Sequence, residues 1–221
     1  MIGPDIYTDD ASFYRETMQA YNRPDNALWI PETGRSDNFG KFFFYALGEG
    51  ALGFSPFGVD QSGWNILGDE AWTAHARNFA LVGPMDREIA QLEFDGQVKT
   101  AVEEPGQATQ EVDFGDWQAT VSFGFPQQDG RRAPGTKDFH GAAIIARLGP
   151  DKFLVTGVDA SVVFHLPGKP AWIHSQMLTA EQGVYEGGAW KQLRLLNGDE
   201  TDRGLCFYTK PEYVHVTMQK F

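Results

Sequence analysis

A glutamate stands where a short apolar run stops. Ala27-Leu28-Trp29-Ile30 is long enough for a buried strand, Pro31 ends it because proline cannot donate to a sheet ladder, and Glu32 follows before Thr33 and Gly34 turn the chain away. An acid at the carboxyl end of a buried strand sits where α/β barrels keep their chemistry; by residue type alone it is more often a solvated loop glutamate. A second run, Met1-Ile2-Gly3-Pro4-Asp5-Ile6-Tyr7, also closes on polar residues. To work as a nucleophile Glu32 must be ionised, and a tyrosine hydroxyl donating to it, such as that of Tyr7, would hold it and favour the charged form.

The elements that must position these groups follow a pattern. A third strand-like run is Gly-Ala-Leu-Gly-Phe-Ser-Pro-Phe-Gly, 50–58, closing on Val59 and Asp60. Helical spacing separates the runs: Ala11 to Tyr21, opened by Asp9, Asp10 and Ser12 as caps, and the strongly apolar Asn38 to Leu47. Strand, helix, strand, helix, strand at this spacing predicts a βαβαβ unit with parallel strands.

Gly-Pro-Asp-Ile-Tyr, Trp-Ile-Pro-Glu-Thr-Gly-Arg and Gly-Ala-Leu-Gly-Phe-Ser-Pro-Phe-Gly together resemble the last part of the catalytic barrel of bacterial β-galactosidases of glycoside hydrolase family 35. The likeness continues into an accessory β domain that follows the barrel in a bacterial subgroup. It implies a (β/α)8 TIM barrel of which residues 1–95 are the last three βα units, with the first five strands absent, so that the chain is a truncated product or a fragment. It implies a retaining hydrolase of terminal β-galactosides, with Glu32 as the nucleophile and Tyr7 orienting it. A galactoside or other neutral sugar is then the partner, and no cofactor is required.

Each residue keeps a plainer role beside the implied one. Tyr7 is also suited to a rim aromatic covering the barrel edge. Asp5 could accept hydrogen bonds from sugar hydroxyls or cap its loop. Arg35 could pair with a carboxylate near Glu32 or lie on the surface. Phe57 and Trp64 could stack on a sugar face, or serve core or lid packing. Retaining glycosidases need a second carboxyl group about 5–5.5 Å from the first. In the family that group lies on the fourth strand. Of the nearest acids, Glu49 sits between two glycines before the third strand, on the wrong side, and Glu70 opens a helix, where a carboxylate suits the helix dipole. The chain thus carries half of a catalytic pair and is expected to be inactive alone, with self-association through the incomplete barrel.

Composition narrows the alternatives. A net charge of −12 and a pI near 4.7 oppose nucleic-acid phosphates and anionic membranes, whereas a neutral sugar is indifferent to them. The five histidines, His75, His140, His165, His174 and His215, show no HxH or HxxxH spacing, and there is no P-loop or GxSxG. His215, between Val214 and Val216, is expected on the polar face of a strand. The single Cys206 is expected as a small buried side chain. No charged leader precedes an apolar stretch at the N-terminus, and no run approaches the ~18 apolar residues of a membrane span.

Further along, a helical stretch from Asp69 to Gln91 is interrupted at Gly83-Pro84, and Asp95-Gly96 is a turn. The polar segment 96–111 reads as a linker. Beyond it, Trp117, Ala119, Val121, Phe123 and Phe125 alternate with polar residues, and Ala142 to Leu148, Phe153 to Val158, Ala160 to Leu166 and Tyr213 to Met218 follow as strands, the first two joined by Gly149-Pro150-Asp151 and a bend falling at Gly157-Val158-Asp159. The fold class is α/β plus all-β: a partial barrel over 1–95, then an antiparallel β-sandwich-like domain over 112–221. The rival functional class is a carbohydrate-binding or structural β module with the barrel segment as a remnant.

Overall fold

The computed structural model describes residues 1–58, 73–124 and 140–221. They form two compact units, Met1–Ala80 and Leu81–Phe221. In broad terms the chain is α/β followed by all-β, with three sheets among the described residues. The expected boundary near residue 95 follows the second of two helices, whereas the division into units falls within the first.

The first unit is built on a parallel sheet in the order β1-β2-β3, formed by Asp5–Ile6, Ile30–Thr33 and Phe54–Pro56. The helices α1 (Ala11–Tyr21) and α2 (Phe42–Gly48) fall between successive strands, which gives the βαβαβ order. The Asp10 carboxylate caps α1 by accepting from the Ser12 and Phe13 amides at 2.9 and 3.0 Å. Tyr14 and Met18, one turn apart, are its buried face. Tyr14 lies flat on Phe42 at 3.8 Å between ring centroids, and Ile6, Leu28 and Ile30 complete the core. The expected all-round apolar helix is shorter than Asn38 to Leu47, because Asp37–Phe39 forms a 3-10 turn before it. Phe42, Phe43, Phe44 and Ala46 are all buried, so its phenylalanines are not left facing water. Phe43 meets Phe54 and Phe79 edge-on.

The second unit opens with the end of α3 (Thr73–Val82), a 3-10 turn at Gly83–Met85 and α4 (Asp86–Phe94). The Gly83-Pro84 interruption thus falls where Pro84 cannot complete the helical ladder. Among the described residues its ten strands are all antiparallel and make two sheets, β11-β10-β13-β8-β7-β4 and β12-β9-β6-β5. In chain order these are β4 (Val98–Val102), β5 (Thr109–Asp113), β6 (Gln118–Phe123), β7 (Ala142–Gly149), β8 (Lys152–Val158), β9 (Ala160–His165), β10 (Ser175–Glu186), β11 (Ala189–Leu195), β12 (Leu205–Phe207) and β13 (Tyr213–Lys220). Between the sheets lies an apolar core that includes Trp117, Val121, Phe153, Val155, Phe164, Phe207 and Val216. In β6 only Ala119, Val121 and Phe123 are buried, the period of a strand with one inward face. β7 and β8 are instead buried over Ala142–Ala146 and Phe153–Val158, because α4 packs on the other side of β7. Asp159, with φ of 46°, makes the bend predicted after Gly157 and carries the chain from one sheet to the other.

Four expectations need correcting. The linker read into 96–111 is strand for much of its length, since β4 lies wholly within it and β5 begins in it. Both are edge strands, and exposed side chains such as Lys99 and Thr109 give them a linker's composition. Two strands in the unassigned region, β10 and β11, form a hairpin through Gly187-Gly188, whose φ values of 60° and 81° suit a two-residue turn. Cys206 is only half-buried, because alternation in β12 turns Leu205 and Phe207 into the core and Cys206 away from it. His215 is not on a polar face. It is 5 % exposed, stacked on Trp190 at 3.7 Å, and its Nε2 lies 3.3 Å from the Tyr185 hydroxyl. That hydroxyl donates to the Glu88 carboxylate of α4, so the sheet's outer face is covered there.

Candidate functional site

In the parallel register Asp5 pairs with Glu32 and Ile6 with Thr33. Paired residues of adjacent strands point to the same face. Asp5, Glu32 and, two residues beyond Asp5, Tyr7 therefore share one face at the carboxyl end of the sheet, with Ile6 and Thr33 on the opposite side. The Tyr7 hydroxyl donates to Glu32 Oε1. Its pKa is pushed up to about 12 by partial burial of the hydroxyl first, then by the hydrogen bond to Glu32 and the charges of Glu32 and Asp5; the Arg35 guanidinium pulls the other way. At neutral pH the phenol therefore keeps the proton it gives to Glu32.

The opposite face anchors this end of the strands. Thr33, fully buried, donates through Oγ1 to the Ile6 carbonyl at 2.8 Å and accepts from the Tyr14 hydroxyl at 3.0 Å. Its own carbonyl accepts the Phe57 amide at 2.8 Å, so the segment after β3 ends beside Glu32's strand. Gly34 must be glycine here, since a Cβ would stand 2.4 Å from the Phe39 ring. Beyond it, Asp37 Oδ1 accepts the Ala74 amide at 2.8 Å and Asn78 Nδ2 donates to the Gly40 carbonyl at 2.7 Å. His75 lies against the Gly34 and Ser36 backbone; burial pushes its imidazole down, with hydrogen bonding to that backbone opposing. One face of α3 thus fixes the loop that follows Glu32.

The structure therefore brings Glu32, Tyr7, Asp5 and Arg35 together and sets Phe57 at the same end of the sheet. Trp64 and Glu70 lie outside the described residues. Glu49 caps α2 where Asn22, at the carboxyl end of α1, donates to its carbonyl at 2.8 Å; this is the opposite end of the sheet from Glu32. Ala74, His75 and Asn78 were not legible as supports of the site, because they act from about 40 residues away in sequence. The letters Gly48-x-Gly50-x-x-Gly53 match the dinucleotide fingerprint, but they run from the end of α2 into β3. A dinucleotide loop runs from strand into helix, so this one offers no helix N-terminus to a pyrophosphate. Among the described residues no cluster of three or more His, Cys, Asp or Glu could hold a metal ion.

No curated protein matches the sequence. Residues 75–208 match the family model described as "Domain of unknown function (DUF5597)". The match begins within α3, after the strands that carry Asp5, Tyr7 and Glu32, and spans well over half of the 221 residues. The chain belongs to the DUF5597 family.

Proposed function

We propose that Glu32 is the nucleophile of a retaining glycoside hydrolase acting on terminal β-galactosides, and that residues 1–95 are the last three βα units of its (β/α)8 barrel. The observation that carries this reading is the Tyr7 hydroxyl donating to Glu32 where two parallel strands end side by side. An ionised Glu32 oxygen attacks the anomeric carbon, the glycosidic C–O bond breaks, and the leaving oxygen takes its proton from an acid. Water then hydrolyses the glycosyl ester with that same group as base. Tyr7 holds one Glu32 oxygen and leaves the other for attack. Asp5, on the same face, accepts from sugar hydroxyls, and the Arg35 cation balances the two acids.

On this reading the acid is the glutamate that the resembled family carries on its fourth barrel strand, which is not among these three βα units. General acid catalysis is worth about 10²–10⁴-fold, so the 221-residue chain is expected to be nearly inactive by itself. The test is hydrolysis of a chromogenic β-galactoside by the purified chain, alone and together with a polypeptide supplying five preceding βα units. Turnover that appears only on complementation and disappears with Glu32→Gln supports the reading. Turnover by the chain alone that is abolished by both Glu32→Gln and Asp5→Asn would show instead that Asp5 completes the pair.

A further inference from the structure

The second unit carries an open cleft of about 450 Å³ between α5 (Gly198–Thr201), β12 and parts of β10, β11 and β13. Its walls include Gln182, Arg194, Asp202, Arg203, Tyr208 and Glu212. Asp202 also lines an adjoining hollow of about 360 Å³, whose other walls are Trp172, Gln176, Met177 and Thr201. Volumes of this order suit a small-molecule ligand. We propose that this double cleft binds a neutral polyhydroxylated ring, a sugar or short oligosaccharide, with the Trp172 indole as its stacking platform. The proposal stands on the second unit alone and does not depend on the role of Glu32.

Trp172 is the first reason. Its φ of 65° lies in the left-handed region, which a bulky side chain avoids, and His174 two residues on has φ of 64°. Despite this backbone, the indole is 42 % exposed beside the hollow and takes no part in the core. A strained backbone that holds an aromatic ring out to solvent is a feature of ligand clamps.

The polar walls are the second. A sugar hydroxyl both donates and accepts, so its site needs acceptors and donors side by side, with an apolar plate for the C–H face. Arg194 is held ready, with Nε donating to Gln182 Oε1 at 2.7 Å and Nη1 to Glu200 Oε1 at 2.6 Å. Glu200 is fixed in turn by the Asn197 capping box. Beside these, Asp202 and Arg203 make no side-chain hydrogen bond or ion pair among the described residues, leaving one acceptor and one cationic donor uncommitted.

The same lining disfavours other ligands. Asp199, Glu200, Asp202 and Glu212 outnumber Arg194 and Arg203, which repels phosphates and nucleic acids. The acids do not converge as a metal site. An apolar ligand would strand these charges without water.

The test is titration of the full chain with methyl β-galactoside, lactose and cellobiose, followed by amide chemical shifts. Saturable shifts confined to residues 172–176 and 194–212 are expected with at least one of the three. Trp172→Ala and Asp202→Ala should each weaken that binding about tenfold while leaving the melting temperature within a few degrees of the parent. Glu32→Gln should leave it unchanged, so loss of the first-unit reading and loss of this one are separable. Absence of saturation with all three sugars at tens of millimolar, binding that ignores both second-unit substitutions, or occupation of the cleft by a lysine-rich peptide instead would each overturn the proposal.

Discussion

His215 should make the stability of the second unit depend on pH between its ordinary value of 6.5 and about 4. The imidazole is buried under Trp190 and Tyr185, with Lys152 on the neighbouring strand and Glu181 as its cross-strand partner, and Lys152 and Glu181 face each other at 3.8 Å. Tyr185 has one proton and gives it to Glu88, so Nε2 of His215 is the donor in that contact. Burial first, and the Lys152 charge second, lower its pKa from 6.5 to about 4. The folded state thus resists a proton that the unfolded chain accepts between these values. The stabilisation is complete above pH 6.5 and is lost as pH falls toward 4, below which both states are protonated. At about 1.4 kcal/mol per pH unit, the whole window is worth about 3 kcal/mol. His215→Gln removes the titration and, at pH 7, sacrifices the indole stack, worth about 0.5–1.5 kcal/mol. Urea unfolding of both proteins from pH 7 to pH 4 should show their stability difference shrinking, then reversing, because only the parent loses stability through His215. Parallel pH profiles, or an imidazole titrating near its ordinary value by NMR, would refute this account.

Removing the charge that holds Tyr7 should release it: Glu32→Gln is expected to bring the Tyr7 phenol down from about 12 toward its ordinary value, read as the phenolate absorbance lost on adding Tyr7→Phe. Gly34→Ala drives a methyl to 2.4 Å from the Phe39 ring and should cost about 1–3 kcal/mol by chemical denaturation of the first unit. Trp117, fully buried, donates its indole N–H to Asp151 Oδ1 at 2.8 Å; Asp151→Ala strands that donor and should cost about 1–3 kcal/mol, whereas Asp151→Asn, which keeps an acceptor, should recover most of it.

The strand-end acids were legible because short apolar runs stopped by proline or polar residues carry their own boundary. The parallel βαβαβ order followed from helix-length spacing between them. The strands with a clean inward face, β6 above all, or with continuous apolar sequence, β7 to β9, were legible for the same reason. What was lost lay where burial is decided from far away. β10 and β11 keep polar outer faces, with Gln176, Glu181, Gln182 and Lys191 breaking any apolar signal, though Gly187-Gly188 was a local hairpin cue. His215 looked solvent-facing because alternation assigns a face but not what covers it; the cover is Trp190 and Tyr185, and Tyr185 is held in turn by Glu88 of α4, far earlier in the chain. The supports of the Glu32 loop were hidden likewise, since Ala74, His75 and Asn78 act across a long gap in sequence. The left-handed backbone at Trp172 has no sequence signal at all, because glycine and asparagine, not tryptophan, announce such a turn.

The first unit's architecture bears on how Glu32 could be completed. Its strands are two to four residues long and make few ladder hydrogen bonds, so most of the order comes from the aromatic packing of Tyr14, Phe42, Phe43 and Phe54. Among the described residues, β1 and β3 each have a neighbour on one side only. Short edges are poor templates for indiscriminate aggregation, yet they accept a strand of matching length and direction. The polar face shared by Asp5, Tyr7 and Glu32 runs straight to one of these edges, that of β1. A further parallel strand added there would end level with Asp5, one strand spacing of about 4.8 Å from it and two from the strand of Glu32, so an acid/base about 5–5.5 Å from Glu32 must reach over this polar face rather than sit directly beside the nucleophile's own strand. The anchors behind Thr33 and Gly34 face the other way and would be undisturbed. In the proposed enzyme this sheet therefore holds one prepared carboxylate on its central strand, one strand in from an edge that can receive the rest of a barrel.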